Sequence, residues 1–359
     1  MKRVHNFSAG PATLPLEVLE KAQKELVEYK GKGQSLMEMS HRSAEYTEID
    51  QQAKARLSSL LGLGDDFEVM FLQGGASSQF MMAPYNFLRE NETADYIDTG
   101  RWSDKAITEA KKFGYVHVPY SSSEGNYDRV PKNGELKFSS NPVYVHFTSN
   151  NTVAGTQFPT EPETNGVPLV CDASSDFLSR PIDVDKYGII YAGAQKNVGP
   201  AGVTIVIVRK DLLEKAKTEG VPTILRYKTH TGKIFNTPPT FNVYMVNLVL
   251  DWIEQKGGLS YFESFSQKKA SLLYGEIDKD DFYRGAVEKE SRSLMNATYR
   301  LPSEELEQKF LSEAAENGLV ALKGHRSVGG IRASMYNAMP MESVEALVSF
   351  MQEFRDKNG

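Results

Sequence analysis

The sequence predicts an α/β fold, a mainly parallel sheet sandwiched by helices with a small α+β domain at the C-terminal end, on three observations. From Glu68 onward short apolar strands alternate with helical segments, the pattern of a parallel sheet covered on both faces. Polar residues of chemical interest follow those strands, at the carboxyl ends where ligands collect in such sheets. A length of 359 residues also exceeds the roughly 250–300 that one hydrophobic core organises, so a second domain is expected.

Taken in order, the loop Asn6-Phe7-Ser8-Ala9-Gly10-Pro11 leads to a helix that begins near Pro15, a residue suited to the first helical position, and buries Leu19, Ala22, Leu26 and Tyr29. A second helix carries Ile49, Ala53, Leu57, Leu60 and Leu61 along one stripe and stops at Gly62 and Gly64. Strands are expected at Glu68–Leu72, Ala94–Asp98, Tyr115–Val118, Val143–Phe147, Pro168–Cys171, Ile189–Tyr191 and Val203–Val208, with helices at Ser77–Leu88, despite Pro84, and Ser103–Phe113. Beyond the Pro-rich stretch Asn236-Thr237-Pro238-Pro239-Thr240, a long helix from about Val243 to Lys256 stops at Gly257-Gly258. The remainder reads as helix (Tyr261–Ile277), strand (Ser293–Tyr299), helix (Glu304–Glu316), strand (Gly330–Met335) and helix (Ser343–Phe354), and Asp278–Asp281 as a solvated turn. This gives an N-terminal segment (1–15), a large domain (16–258) and a small one (259–359).

Composition narrows the class of function. A net charge of −6 gives the whole molecule no affinity for nucleic acid or an anionic membrane, so an anionic small substrate has to be met by local arginines and histidines. The single cysteine, Cys171, allows no internal disulfide, and the six scattered histidines show no metal-ligand spacing. Met1–Phe7 lacks the apolar run of a signal peptide, and no stretch approaches the ~20 apolar residues of a membrane span. A cytoplasmic, reducing location is expected.

Chemistry concentrates on Tyr191-Ala192-Gly193-Ala194-Gln195-Lys196-Asn197-Val198-Gly199-Pro200-Ala201-Gly202, which sets one lysine among small residues between two apolar strands. A lysine that loses hydration there has a lowered pKa and an amine available to aldehydes, the setting of a Schiff-base lysine; it reads equally as an ordinary loop lysine. Gly74-Gly75-Ala76-Ser77 follows a strand and opens a helix, a geometry that holds phosphate on backbone N–H groups, though it is neither a Walker A loop nor G-x-G-x-x-G. Asp172 ends a strand, where a carboxylate can pair with a protonated pyridine nitrogen or simply form the turn Asp172-Ala173-Ser174-Ser175. Trp102 stands at the next strand-to-helix turn, as a face for a planar ring or as packing.

Together these stretches, with Met39-Ser40-His41-Arg42-Ser43, Thr148-Ser149-Asn150-Asn151-Thr152, Asn236-Thr237-Pro238-Pro239 and Gly324-His325-Arg326-Ser327-Val328-Gly329-Gly330, resemble the phosphoserine aminotransferase family over essentially the whole chain. That family lies in the class-V aminotransferase group of fold-type I pyridoxal-phosphate enzymes, with an aspartate aminotransferase-like fold. The resemblance implies that Lys196 holds one pyridoxal 5'-phosphate per subunit as a Schiff base and moves the substrate proton, that Asp172 pairs with the ring nitrogen, Trp102 stacks on the ring and Thr152 bonds the 3-oxygen side. It assigns the cofactor phosphate to Ala76 and Ser77 through backbone N–H, to Gln195, and to Asn236 and Thr237 across a homodimer. Substrate falls to His41 and Arg42 from the neighbouring subunit and to His325, Arg326 and Arg332, with Arg332 on the α-carboxylate and the others on the distal carboxylate or phosphate. Ser77 departs from relatives that carry arginine there, which leaves it only a backbone role.

The reaction implied is transamination of 3-phosphohydroxypyruvate with L-glutamate to O-phospho-L-serine and 2-oxoglutarate in serine biosynthesis. In some bacteria the family extends to 3-hydroxy-2-oxo-4-phosphooxybutanoate, giving 4-phosphohydroxy-L-threonine for vitamin B6. The rivals are another class-V aminotransferase, a desulfurase using Cys171, and a non-catalytic cofactor-binding protein. The last is opposed by the presence of Lys196 and Arg332.

Overall fold

The computed structural model describes residues 3–132 and 134–359, so Met1 and Lys2 of the expected N-terminal segment lie outside the described residues. The chain runs β1 (His5–Asn6), α1 (Leu16–Glu25), α2 (Ala44–Leu61), β2 (Phe67–Gly74), α3 (Ala76–Phe87), β3 (Thr93–Tyr96), α4 (Arg101–Ala110) and β4 (Tyr115–His117). It continues through β5 (Val145–Thr148), β6 (Asn150–Asn151), β7 (Thr156–Gln157), β8 (Leu169–Asp172), β9 (Tyr187–Gly193), β10 (Gly202–Arg209), α5 (Lys210–Glu214), α6 (Thr240–Lys256) and α7 (Gly258–Ile277). It closes with β11 (Arg284–Gly285), β12 (Asn296–Arg300), α8 (Glu304–Glu316), β13 (Leu319–Val320), β14 (Ile331–Ser334) and α9 (Met341–Asn358).

Seven strands form the large sheet in the order β2-β10-β9-β8-β5-β3-β4. The run from β9 to β4 is parallel, whereas β10 lies antiparallel to both β9 and β2. The reversal follows from chain length: Ala194–Ala201 is too short for a crossover, which needs a dozen or more residues, and suffices only to double back. Its consequence is functional, because the tight loop places Lys196 at the carboxyl edge of the sheet.

Period-two alternation divides the strands between two faces. Ile190, Ala192, Val203, Ile205 and Ile207 pack with Ile49, Ala53 and Leu57 of α2 and Val243, Val246 and Val249 of α6. Ile189, Tyr191, Val206 and Val208 pack on the other face with Phe80 and Phe87 of α3 and Ala106 and Ala110 of α4. At α1 the structure departs from the expected stripe. The helix ends at Glu25 and Leu26 is exposed, because the chain turns through Lys30, Gly31 and Gly33 at positive φ; Tyr29 is buried from that turn, outside the helix.

Behind this layer, β11, β12 and β14 form a second sheet packed under α7, α8 and α9, with Tyr283, Tyr299, Phe310 and Met351 in its core. The N-terminal segment belongs to this core physically, since β1 pairs in parallel with β13 and Phe7 is fully buried there. Helix α7 serves both units, with Leu259 and Phe262 in the large core and Ala270, Leu273 and Ile277 in the small one. The acids at its end are not merely solvated: Arg292 clamps Asp278 with two bonds of 2.8 Å, and Arg355 pairs with Glu276 and reaches Asp280 at 3.4 Å.

The segment from Asn150 to Gln157 is the joint between the units. Asn150 Nδ2 donates to Asn296 Oδ1 at 2.8 Å, Ser293 N to Gly155 O at 2.8 Å, Thr298 Oγ1 to Ala154 O at 2.7 Å and Arg332 Nη1 to Thr152 O at 3.3 Å. Thr152 therefore faces the large sheet's carboxyl edge while its carbonyl holds an arginine of the small unit.

Candidate active site

Lys196 occupies the turn between β9 and β10, and its Nζ donates to Thr152 Oγ1 at 2.6 Å. Burial is the main force lowering its pKa from 10.5 to about 8; the nearby Asp172 opposes the shift and Arg332 adds to it. At neutral pH far more of this amine is neutral than in an ordinary lysine.

Asp172 is the last residue of β8, in register with Tyr191 of β9 and Thr148 of β5, and is almost wholly buried. Its Oδ1 accepts from Ser174 N at 3.0 Å and Ser174 Oγ at 2.6 Å, so the turn suggested by the sequence exists. That turn occupies one oxygen; among the described residues the other accepts no bond. Burial raises the pKa of this carboxyl, and the Lys196 charge and the Ser174 bonds only partly counter it. An acid so placed is under-neutralised and suited to a further cation. Ser174, which also accepts from Gly193 N at 3.1 Å, is a positioning residue that the sequence marks only as part of the turn.

Trp102 lies in the first turn of α4, tilted against Phe80, with Lys196 Nζ 5.8 Å from its ring centroid and its own Nε1 buried without a partner. At α3, Gly75 caps the helix with no side-chain bond, no acid stands in the first turn, and the space in front of Gly75 is open. The N–H groups of Ala76 and Ser77 are thus presented to an anion at the positive end of the helix. Gln195 folds its amide over Gly193, where a Cβ would come within 2.7 Å of Gln195 Oε1; the glycine leaves room for that side chain.

The small unit supplies positive charge. Arg332 sits on β14 between buried Ile331 and Ala333, with its Nε buried and unpartnered, and burial opposes its charge. The loop 324–330 closes on itself through Gly324 N to Gly330 O at 2.8 Å and Gly329 N to His325 O at 2.8 Å; a side chain at Gly324 would collide with the Gly329 carbonyl. It presents His325, bonded to Ser327 Oγ at 2.8 Å, and the exposed Arg326. Burial, followed by the fields of Arg101, Arg332, Arg326 and Lys105, holds His325 below its ordinary pKa. Arg101 and Lys105, on α4, are cations of this mouth that the sequence reading omits.

Four expected residues are not joined to the Lys196 cluster within one chain. His41 and Arg42 line a cavity of about 550 Å³ with Asp50, Lys54, Phe67 and Glu68, at the start of β2 and about 20 Å from Gly74 at its end. Asn236 donates to Gln73 Oε1 at 3.3 Å, and the Thr237 carbonyl accepts from Gln73 Nε2 at 2.6 Å.

A depressed lysine, a buried acid in want of a cation, an indole face and an unfilled helix N-terminus match an aldehyde, a pyridine nitrogen, a planar ring and a phosphate. The donor set thus fits pyridoxal phosphate on this chain's own geometry. The chain belongs to the aminotransferase class-V family, whose model matches residues 4–347; these enzymes use that cofactor. It is 53% identical over 359 residues to the phosphoserine aminotransferase of Herpetosiphon aurantiacus, covering 99% of each chain. Its fold matches the phosphoserine aminotransferase structure from Bacillus circulans subsp. alkalophilus at a TM-score of 0.98, with 53% identity and 100% of both chains covered. The pyridoxal-phosphate-bound phosphoserine aminotransferase of Trichomonas vaginalis matches at 0.93, with 39% identity over 98% of this chain and 100% of that one. Within the class-V group, phosphoserine aminotransferase is the branch these relatives define.

Proposed function

We propose that this chain transfers the amino group of L-glutamate to 3-phosphohydroxypyruvate, releasing 2-oxoglutarate and then O-phospho-L-serine, as a cytoplasmic homodimer with one pyridoxal phosphate per subunit bound as a Schiff base to Lys196. The observation that carries this reading is the placement of Lys196, whose Nζ donates to Thr152 Oγ1 at 2.6 Å at the carboxyl edge of the sheet, near enough to Asp172 and Arg332 to feel both charges. When bound, the cofactor draws electrons from the carbon bearing the substrate nitrogen and so acidifies its C–H bond.

Everything else falls to this chain's own side chains and backbone N–H groups. With the cofactor bound, Asp172 would hold the ring nitrogen's proton, Trp102 would cover the ring and Thr152 would bond the 3-oxygen side. The N–H groups of Ala76 and Ser77 and the Gln195 amide bind the phosphate, joined by Asn236 and Thr237 of the partner subunit. Lys196 Nζ would take the proton from the substrate Cα and deliver it at the cofactor C4′. Arg332 takes the α-carboxylate bidentately, and His325 and Arg326, with His41 and Arg42 of the partner subunit, take the distal carboxylate or phosphate. Dimerisation is supported by the separation of His41 and Arg42 from Lys196 in one chain, a distance that a two-fold related copy can span.

A desulfurase is opposed by Cys171, which is buried in β8 with its thiol pushed well above its ordinary pKa, chiefly by that burial.

Arg42→Ala and Arg326→Ala test the substrate assignment. Each is expected to lower kcat/KM for phosphorylated substrate roughly 10- to 100-fold while cofactor content stays near stoichiometric. Unchanged discrimination between phosphorylated and unphosphorylated acids in both variants contradicts the phosphate role.

A further inference from the structure

The mouth above Lys196 carries more positive charge than the assigned residues account for. Arg101 and Lys105 stand one helical turn apart on α4, at i and i+4, and so share a face. Lys105 Nζ lies 4.9 Å from the centroid of the Trp102 ring, and Lys196 Nζ lies 5.8 Å from the same centroid, which ties this face to the reacting lysine. Across the mouth, the charges that most depress His325 are all cations, and Arg101 exerts the largest field of the four.

None of this charge is neutralised in place. Along α4 and the turn after it, the only ion pair among the described residues joins Lys112 to Glu109, on the far side of the helix end. Asp104 lies near enough to Asp98 and Tyr127 to raise the pKa of each, after the larger effect of burial. Arg101 is nonetheless only partly exposed. Cations crowded together without a carboxylate repel one another, and a bound dianion relieves that repulsion.

We propose that Arg101, backed by the field of Lys105, is a specificity-determining residue of this chain: it binds the phosphate of the phosphorylated substrate from its own subunit's side, opposite His325 and Arg326. The proposal rests on the functional reading above. It makes the preference for a phosphate monoester over a plain dicarboxylic acid depend on α4 as well as on the glycine-closed loop 324–330.

The test uses the holoenzyme of Arg101→Gln and of Arg101→Lys. Arg101→Gln is expected to raise the KM for O-phospho-L-serine about 10-fold or more and the KM for L-glutamate by a clearly smaller factor, because a phosphate dianion gains more from the guanidinium than a single carboxylate does. Arg101→Lys is expected to recover part of the loss, and the fall of kcat/KM for the phosphorylated substrate with added salt is expected to be shallower in the glutamine variant. Calorimetric titration with inorganic phosphate reads the site without turnover, and its Kd is expected to rise about 5-fold or more in Arg101→Gln. Equal losses on both substrates, or unchanged phosphate affinity, overturn the assignment. A wild-type enzyme that binds phosphate through Arg101 yet leaves O-phospho-L-serine untouched supports the site and overturns the functional reading instead.

Discussion

Lys196→Ala is expected to abolish turnover, by about 10,000-fold or more, and to remove the visible absorbance of the lysine-bound cofactor. Two functions are lost with one amine: the covalent hold on the aldehyde and the base that moves the Cα proton, itself worth up to about four orders of magnitude. Among the described residues none can substitute for it. The nearest donor to that position, Thr152 Oγ1, is a hydroxyl bonded to Lys196, and Lys269, the other deeply buried lysine, is committed to the carbonyls of Met335, Tyr336 and Met339. The fold should survive, because the neighbours of Lys196 are small and the strands beside it are packed independently of its side chain. Absorbance spectra and steady-state rates on the purified variant measure both losses; a variant that keeps the wild-type visible band contradicts the assignment.

The second large effect belongs to Asp172→Asn. The amide keeps an oxygen that can accept from Ser174 N and Oγ, so the turn after β8 is preserved, but the charge facing the cofactor is removed. Removing one partner of a buried pair costs about 3–5 kcal/mol, which, if borne wholly by the transition state, corresponds to a fall in kcat of roughly 150- to 5,000-fold. A linked effect separates this from simple damage. Burial raises the folded-state pKa of Asp172, so its contribution to the stability of the cofactor-free chain is most favourable at low pH. That contribution diminishes as pH rises through the ordinary carboxylate range and is fully lost above the raised value. At neutral pH the cofactor-free Asn variant is therefore expected to melt at or above the wild-type temperature while the loaded enzyme is slow. Melting curves of both forms check the sign, and a cofactor-free variant with a clearly lower Tm assigns Asp172 a structural role.

How far the sequence carries can be judged from particular residues. Strands such as β9 and β10 were legible because burial on both faces makes them continuous apolar runs, and Gly62 and Gly257 marked the ends of α2 and α6 through their left-handed conformation. Leu26 was misplaced because a helical stripe continues in sequence even where the backbone has turned away. The proximity of Asp172 to Lys196 is a tertiary fact, visible only through the order of strands around the β10 reversal. Arg101 and Lys105 went unread for a different reason: two cations one turn apart on an amphipathic helix look like a solvated face, and only the position of His325 across the mouth gives them a target. His41 and Arg42 remain legible by resemblance alone, since nothing within one chain draws them to Lys196.

The most direct test of the account is a coupled assay on purified protein loaded with pyridoxal phosphate, supplied with L-glutamate and 3-phosphohydroxypyruvate and followed for 2-oxoglutarate while the visible spectrum is recorded. The account predicts ping-pong kinetics, a visible band that is lost with glutamate alone and regained on adding the phosphorylated oxo acid, and little turnover when pyruvate replaces it. A protein that shows no glutamate-dependent spectral change, or that uses pyruvate as readily as 3-phosphohydroxypyruvate, contradicts it.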